Sequence, residues 1–248
     1  MHHPSPDKSR RYGVGRRQFL QYLAAGSAIP HLPNLAVGQV NRQPKFSSNP
    51  FSLGVASGDP EPDGVVIWTR LAPEPMEPGG GMPTEMISVR WEVATDEQFG
   101  DVVRSGEALA LPQLGHSVHV EVDGLKPHHW YFFRFHTAGE ISPVGRTRTS
   151  PARDALPEKM RFAFTSCQHY EVGYFNGYPH MQQEDLDLVV HLGDYIYEYA
   201  GVNNRVRKHQ GPETESLEGY RIRYAQYRLD DDLQETLRLF PWLVTWDD

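Results

Sequence analysis

From residue 51 the chain runs as short segments in which apolar and polar positions alternate. In ISVRWEVA, Val89, Trp91 and Val93 alternate with Arg90 and Glu92, which makes one face of an extended segment apolar and the other polar. A period of two is that of a half-buried β-strand. SLGVAS, GVVIWTRL, DVVRSGEA, HSVHVEV, HWYFFRFHT and SPVGRTRT repeat the signal, separated by Gly, Pro and Asp. These residues end strands because they favour turns. Seven such segments predict a mainly β sandwich of immunoglobulin or fibronectin-III type over residues 51–150. GLKPHHWYFFRF sets Tyr131 a few residues after Leu125 and Pro127, where its hydroxyl would bond back to the upstream backbone as a tyrosine corner. His116, His119, His128, His129 and His136 read as surface or cross-strand residues.

From residue 160 the period changes. RFAFTS is a short apolar strand, YFNGYPHMQQEDL a loop and helix, and LDLVVHLGD a near-continuous apolar run. Such a run fits a parallel strand covered on both faces. Residues 216–240 place Leu217, Tyr220, Tyr224, Tyr227 and Leu229, then Leu233, Leu237 and Phe240, at helical spacing, and PWLVTWDD follows as a third strand. Strand, helix, strand, helices, strand is the order of an α/β layered sheet. Polar, proline-bearing stretches flank the first block, VGQVNRQPKFSSNP (37–50) as a leader and TSPARDALPEK (149–159) as a linker. The expected division is therefore a sandwich at 51–150, a linker at 151–159 and a layered domain at 160–248.

Charge and the N-terminus restrict the class of function. GRRQFLQYLAAGSAIP puts Arg16 and Arg17 ahead of Phe19, Leu20 and a weakly apolar stretch, the pattern of a twin-arginine signal peptide at residues 1–36. Gln21, Gly26, Pro30 and Pro33 interrupt that stretch well before the roughly 20 residues a membrane span needs. Stable membrane insertion is not expected, and the destination is periplasmic or extracellular. Cleavage near Ala36 removes Lys8, Arg10, Arg11, Arg16 and Arg17 against Asp7, moving the formal charge from −8 to −12. So acidic a chain is a poor nucleic-acid binder. One cysteine permits no intrachain disulfide, so cores or metals must stabilise the fold. The twin-arginine export machinery carries folded proteins, which favours a cofactor loaded before export.

The chemistry sits where the three later strands end. The first ends in Ser166-Cys167-Gln168, the second in Gly193-Asp194, the third in Asp247-Asp248, and the carboxyl edge of an open α/β sheet is where ligands bind. Gly193 allows a sharp turn that aims the Asp194 carboxylate into that crevice. Tyr197 follows three residues later, within reach of the same ion. Each residue alone has another reading: Cys167 as a small buried hydrophobe, Asp194 as a helix N-cap, Tyr195, Tyr197 and Tyr199 as packing, Asp247 or Asp248 as a turn cap. Their coincidence at three successive strand ends favours a metal site. Thiolate, phenolate and carboxylates suit a hard trivalent iron beside a second, oxygen-loving divalent ion. The loop GVNNRVRKHQGPETES has two readings, a lining of the site through Asn203, Arg205 or Arg207 and a solvated loop, of which the solvated loop is favoured.

FSLGVASGDP (51–60), VVIWTRL (65–71), FAFTSCQ (162–168), HLGDYIYEY (191–199) and FPWLVTWDD (240–248) together resemble the PhoD-type alkaline phosphatases. The resemblance implies an immunoglobulin-like domain followed by a calcineurin-like metallophosphatase domain that hydrolyses phosphate mono- and diesters with Fe3+ and Ca2+. It implies Cys167 and Tyr197 as iron ligands, Asp194 as the bridging and catalytic ligand, and Asp248 as a ligand of the second metal. In the family the third motif continues through a His-Glu pair into further strands carrying the remaining ligands, and this chain stops at Asp248. The 248 residues alone are therefore expected to bind metal weakly and hydrolyse little. Two other classes compete: an exported non-catalytic binding module, and another two-metal phosphoesterase such as a nucleotidase. Those relatives usually open with an Asp-x-His motif, and SCQ offers no carboxylate at that place.

Overall fold

The computed structural model describes residues 40–245; the signal at 1–36 and Asp248 lie outside them. In chain order the strands are β1 (Val40–Asn41), β2 (Val55–Glu61), β3 (Gly64–Arg70), β4 (Met86–Ala94), β5 (Val102–Ala110), β6 (Ser117–Asp123), β7 (Trp130–Thr137), β8 (Glu140–Ile141), β9 (Gly145–Arg148), β10 (Phe162–Thr165), β11 (Leu188–His191) and β12 (Pro241–Val244). The α-helices are α1 (Tyr178–Met181), α2 (Leu217–Arg228) and α3 (Asp231–Leu239). All seven alternating segments of the first block thus become strands. Their alternation is that of the pleat: along β7, Tyr131, Phe133 and Phe135 are buried while their neighbours are partly open.

Two six-stranded sheets result. One is built on β4, flanked by β1, β5 and β7, with β8 and β9 beyond β7; the other runs in the order β10-β11-β12-β2-β3-β6. Val55, Ile67, Val118, Val120 and Val122 of the second sheet pack against Ile87, Val89, Val93, Phe133 and Phe135 of the first. The Tyr131 hydroxyl accepts the Lys126 N–H at 2.8 Å, the predicted corner bond.

The strands expected to belong to a separate layered domain extend the second sheet. β10, β11, β12 and β2 pair in parallel, whereas β2, β3 and β6 are antiparallel. Pro241 aligns with Ser57 and Trp242 with Gly58, so the sheet is mixed and continuous across both blocks. The outer edge of β2 would otherwise present unpaired N–H and C=O groups. Gly58 makes the join close: a Cβ there would lie 2.7 Å from the Trp242 carbonyl oxygen.

A second core lies where the helices cover the parallel strands, around Phe175, Tyr178, Val189, Tyr227, Leu233, Leu237, Phe240 and Trp242. α3 follows the expected pattern: Asp230 caps it by accepting the Leu233 N–H at 3.1 Å, and Leu233 and Leu237 point inward. α2 departs from it. Its N-cap Ser216 accepts from Gly219, but Leu217 is 67% exposed, and the buried residues are Arg223, Ala225, Gln226 and Tyr227. The helix has turned a polar stripe inward because it packs on loop backbone that needs hydrogen-bond partners. On β10, Phe162 and Phe164 are exposed. No helix among the described residues is long and apolar enough to cross a membrane.

Candidate functional site

The register of the parallel strands aligns their carboxyl ends. Thr165 lies opposite His191, and His191 opposite Val244, so the loops after β10 and β11 begin side by side, with Thr245 at the same edge. The ladder continues past the strands: Leu192 N–H donates to the Thr165 carbonyl at 2.8 Å and Thr245 N–H to the His191 carbonyl at 2.9 Å. Beyond that, Cys167 N–H bonds the Gly193 carbonyl and Gln168 N–H the Asp194 carbonyl, each at 3.2 Å. Cys167 and Asp194 are thereby held on adjoining turns.

Both residues adopt left-handed backbone, with φ 54° at Cys167 and 52° at Asp194, and Gly193 between the strand and Asp194 has φ 126°. For a residue with a Cβ this conformation is unfavourable and persists only where surrounding bonds impose it. The two turns lift both side chains out of the strand direction. Tyr197, three residues on, donates its hydroxyl to Asp194 Oδ2, and the Cys167 thiol also neighbours that phenol. Burial, then the bond to Asp194 and the proximity of Cys167, push the Tyr197 phenol above its ordinary value. With a carboxylate and a thiol as its polar neighbours the phenol keeps its proton; a cation in contact reverses that preference.

Three of the four predicted ligands therefore come together, while Asp248 lies outside the described residues. Cys167 is exposed, not a filler of the core. Among the described residues no group of three His, Cys, Asp or Glu side chains is placed to hold a metal; the third donor at this site is a phenol. Thiol, carboxylate and phenol supply three donors that are anionic when deprotonated: the two oxygen donors suit a hard, highly charged cation, and the thiol adds a softer third.

The supporting residues were not visible in the sequence. His169 stacks on the Tyr197 ring at 4.3 Å between centroids, and His209 stacks on His169 at 5.5 Å. Gln168 donates to the Tyr195 carbonyl at 2.8 Å and accepts from the Tyr178 hydroxyl. Arg223, buried in α2, donates to the carbonyls of Tyr197 and Tyr199. Glu171, 1% exposed, accepts the N–H groups of Val202 and His209 at 2.9 and 3.1 Å. Arg207, read as part of a solvated loop, is instead clamped by Asp230 at 2.6 Å and lies 3.9 Å over the Tyr170 ring. Alternation and strand-end arguments do not reach these residues, whose roles depend on contacts between segments distant in the chain.

The model of the PhoD-like phosphatase N-terminal domain matches residues 37–151, and that of the PhoD-like phosphatase matches residues 162–248. Alkaline phosphatase D of Bacillus subtilis is 52% identical over 242 residues, covering 94% of this chain and 41% of that protein. A solved structure of PhoD superposes with a TM-score of 0.80 at 56% identity, covering 83% of this chain and 40% of the other. The chain thus spans about two fifths of the length of these relatives. Matched in order through both halves, with the aligned turns of Cys167 and Asp194 inside the second, the chain belongs to the PhoD-like phosphatase family.

Proposed function

We propose that this chain forms the amino-terminal part of an exported, metal-dependent hydrolase of phosphate mono- and diesters. The observation that carries the reading is the meeting of Cys167, Asp194 and Tyr197 at adjoining strand ends, two of them on strained backbone. The name of the Bacillus relative, alkaline phosphatase D, supports the reaction class. In this reading Cys167, Asp194 and Tyr197 would hold Fe3+, and Asp194 and Asp248 would hold Ca2+. Such a pair, when bound, lowers the pKa of a coordinated water and offsets charge on a phosphoryl group.

The chain's own residues prepare that site. The Gly193 turn aims the Asp194 carboxylate off the strand, the Tyr197 hydroxyl fixes the rotation of that carboxylate, and His169 supports the phenol ring from one face. The strands of residues 51–150 form an immunoglobulin-like or fibronectin-like sandwich that braces this edge, residues 151–159 are its linker, and residues 160–248 are the metallophosphatase portion. Residues 1–36 direct twin-arginine export to the periplasm or beyond.

Asp194→Ala in the full-length protein tests the assignment. Hydrolysis of p-nitrophenyl phosphate is expected to fall by more than ~100-fold, beyond the loss typical of an outer ligand-supporting residue, with the fold intact by circular dichroism. Undiminished turnover in a folded variant refutes it.

A further inference from the structure

We infer that Tyr227 is a positioning residue for this site: its buried hydroxyl, carried by α2, holds the Tyr197 loop and the Cys167 loop in one geometry. The inference rests on the reading of Cys167, Asp194 and Tyr197 as a metal site. Tyr227 is 0% exposed. Its oxygen accepts the backbone N–H of Tyr197 at 3.1 Å and that of Tyr170 at 3.2 Å. The first belongs to the loop that follows β11, the second to the loop that follows β10. The same oxygen lies 3.0 Å from His209 Nε2.

A phenol oxygen has one proton and two acceptor sites. With both acceptor sites taken by N–H groups, the O–H must point at His209 Nε2, which fixes that nitrogen as an acceptor and places the imidazole proton on Nδ1. Nδ1 in turn lies 3.1 Å from the Tyr199 carbonyl, two residues beyond Tyr197. Every hydrogen-bonding capacity of the Tyr227 hydroxyl is used, and each one ends on a segment that carries or adjoins a proposed ligand. Arg223, one helical turn earlier on the same helix, donates to the Tyr197 and Tyr199 carbonyls. α2 therefore holds the Tyr197 peptide from both sides, by its N–H through Tyr227 and by its carbonyl through Arg223.

A residue needed only for packing would tolerate loss of this oxygen, because phenylalanine keeps the ring contacts with Tyr170, Phe175 and His209. Tyr227→Phe keeps that volume but takes the acceptor from the Tyr170 and Tyr197 N–H groups and releases both loops. In the full-length, iron-loaded enzyme we expect iron release to a chelator to accelerate about ten-fold, the range seen when supporting residues of a metal site are removed. The visible phenolate-to-iron charge-transfer band of Tyr197 should shift or weaken. In the metal-free protein the Tyr197 amide should exchange faster with solvent.

Tyr197→Phe separates the ligand role of Tyr197 from the positioning role of Tyr227. If it leaves the band and the iron content intact, the ligand assignment is wrong. If it removes the band while Tyr227→Phe leaves release rate, band and Tyr197 exchange unchanged, the site stands and the positioning role is overturned. Should Tyr227→Phe fail to fold, His209→Gln, which removes the acceptor of the Tyr227 hydroxyl together with the stack on His169, decides in its place through the Tyr197 amide of the metal-free protein: faster exchange supports the role, and unchanged exchange in a folded protein defeats it.

Discussion

His209 and His191 are charged only at a cost. His209 is 1% exposed, with its ring nitrogens facing the Tyr227 hydroxyl and the Tyr199 carbonyl, and Glu171 3.8 Å away. Burial and then the Arg223 guanidinium hold its pKa down at about 4, against the opposing pull of Glu171. His191 is 0% exposed between Trp242 and Tyr195, and burial lowers it to about 4 as well, with Asp194 pulling the other way. In the unfolded chain both titrate near 6.5. Between about 6.5 and 4 the unfolded state therefore binds protons that the folded state refuses. The stability these neutral histidines contribute is complete above pH 6.5 and is lost as pH falls toward 4, on the order of 2 kcal/mol for each. Denaturant titrations of the metal-free chain at pH 7.5, 6, 5 and 4 should show the midpoint falling through that window, and a flat profile would show the histidines are not held neutral. At this scale the sequence was legible where a residue's place followed from its strand: Cys167, Asp194 and Tyr197 all lie just beyond the ends of β10 and β11. It was silent on Tyr227, Arg223 and Arg207, because helical spacing and loop polarity do not reveal which distant backbone a side chain will meet.

Among the elements, β2 decides how the two halves join. Its inner neighbour is β3 and its outer neighbour is β12, some 180 residues later, with Gly58 against Trp242. Alternation located β2 and β12 but carries no information on pairing partners, so their union across the boundary was not predicted. A Cβ on residue 58 would sit 2.7 Å from the Trp242 carbonyl oxygen, backbone that cannot rotate away. Gly58→Ala is therefore expected to cost about 1–3 kcal/mol, the range for forced overpacking, and to separate the strands at that point. Gly173→Ala is the matched control, since nothing lies within 4 Å of its added carbon; it should change stability by less than ~0.5 kcal/mol. Equal effects at the two sites, measured by thermal denaturation, would mean that the β2–β12 contact does not constrain the sheet. The inward polar face of α2 has the same origin as this junction. A helix that packs on sheet or helix buries apolar residues, but α2 packs on the loops after β10 and β11, whose carbonyls and N–H groups require polar partners.

For the described molecule as a whole, shared bonds between residues 51–150 and 160–245 outweigh the separation that composition suggested. Arg146 of β9 donates to the Leu239 carbonyl at 3.0 Å and lies 4.2 Å over the Trp130 ring and 5.3 Å from that of Phe240. Arg70 of β3 donates to the Arg221 carbonyl at 3.0 Å, Gln234 to the Ser52 carbonyl at 3.1 Å, and Gly79 N–H to Glu218 at 2.7 Å. Arg148 pairs with Asp187, and Arg228 lies 4.1 Å over the Trp68 ring. Domains joined by a linker alone move and melt independently; halves that share a sheet and bury charged groups in each other's backbone lose those partners together. The described residues should therefore unfold as one cooperative unit, giving a single calorimetric transition with equal calorimetric and van't Hoff enthalpies. Arg146→Ala removes the carbonyl bond and both ring contacts at once, and is expected to lower stability by about 2 kcal/mol. If the halves are energetically one body, that loss shifts the whole transition to lower temperature without splitting it. Two resolved transitions in the unsubstituted chain would show that residues 51–150 hold together without β10–β12, and the bracing of the Cys167 and Asp194 turns would then have to come from the second half alone.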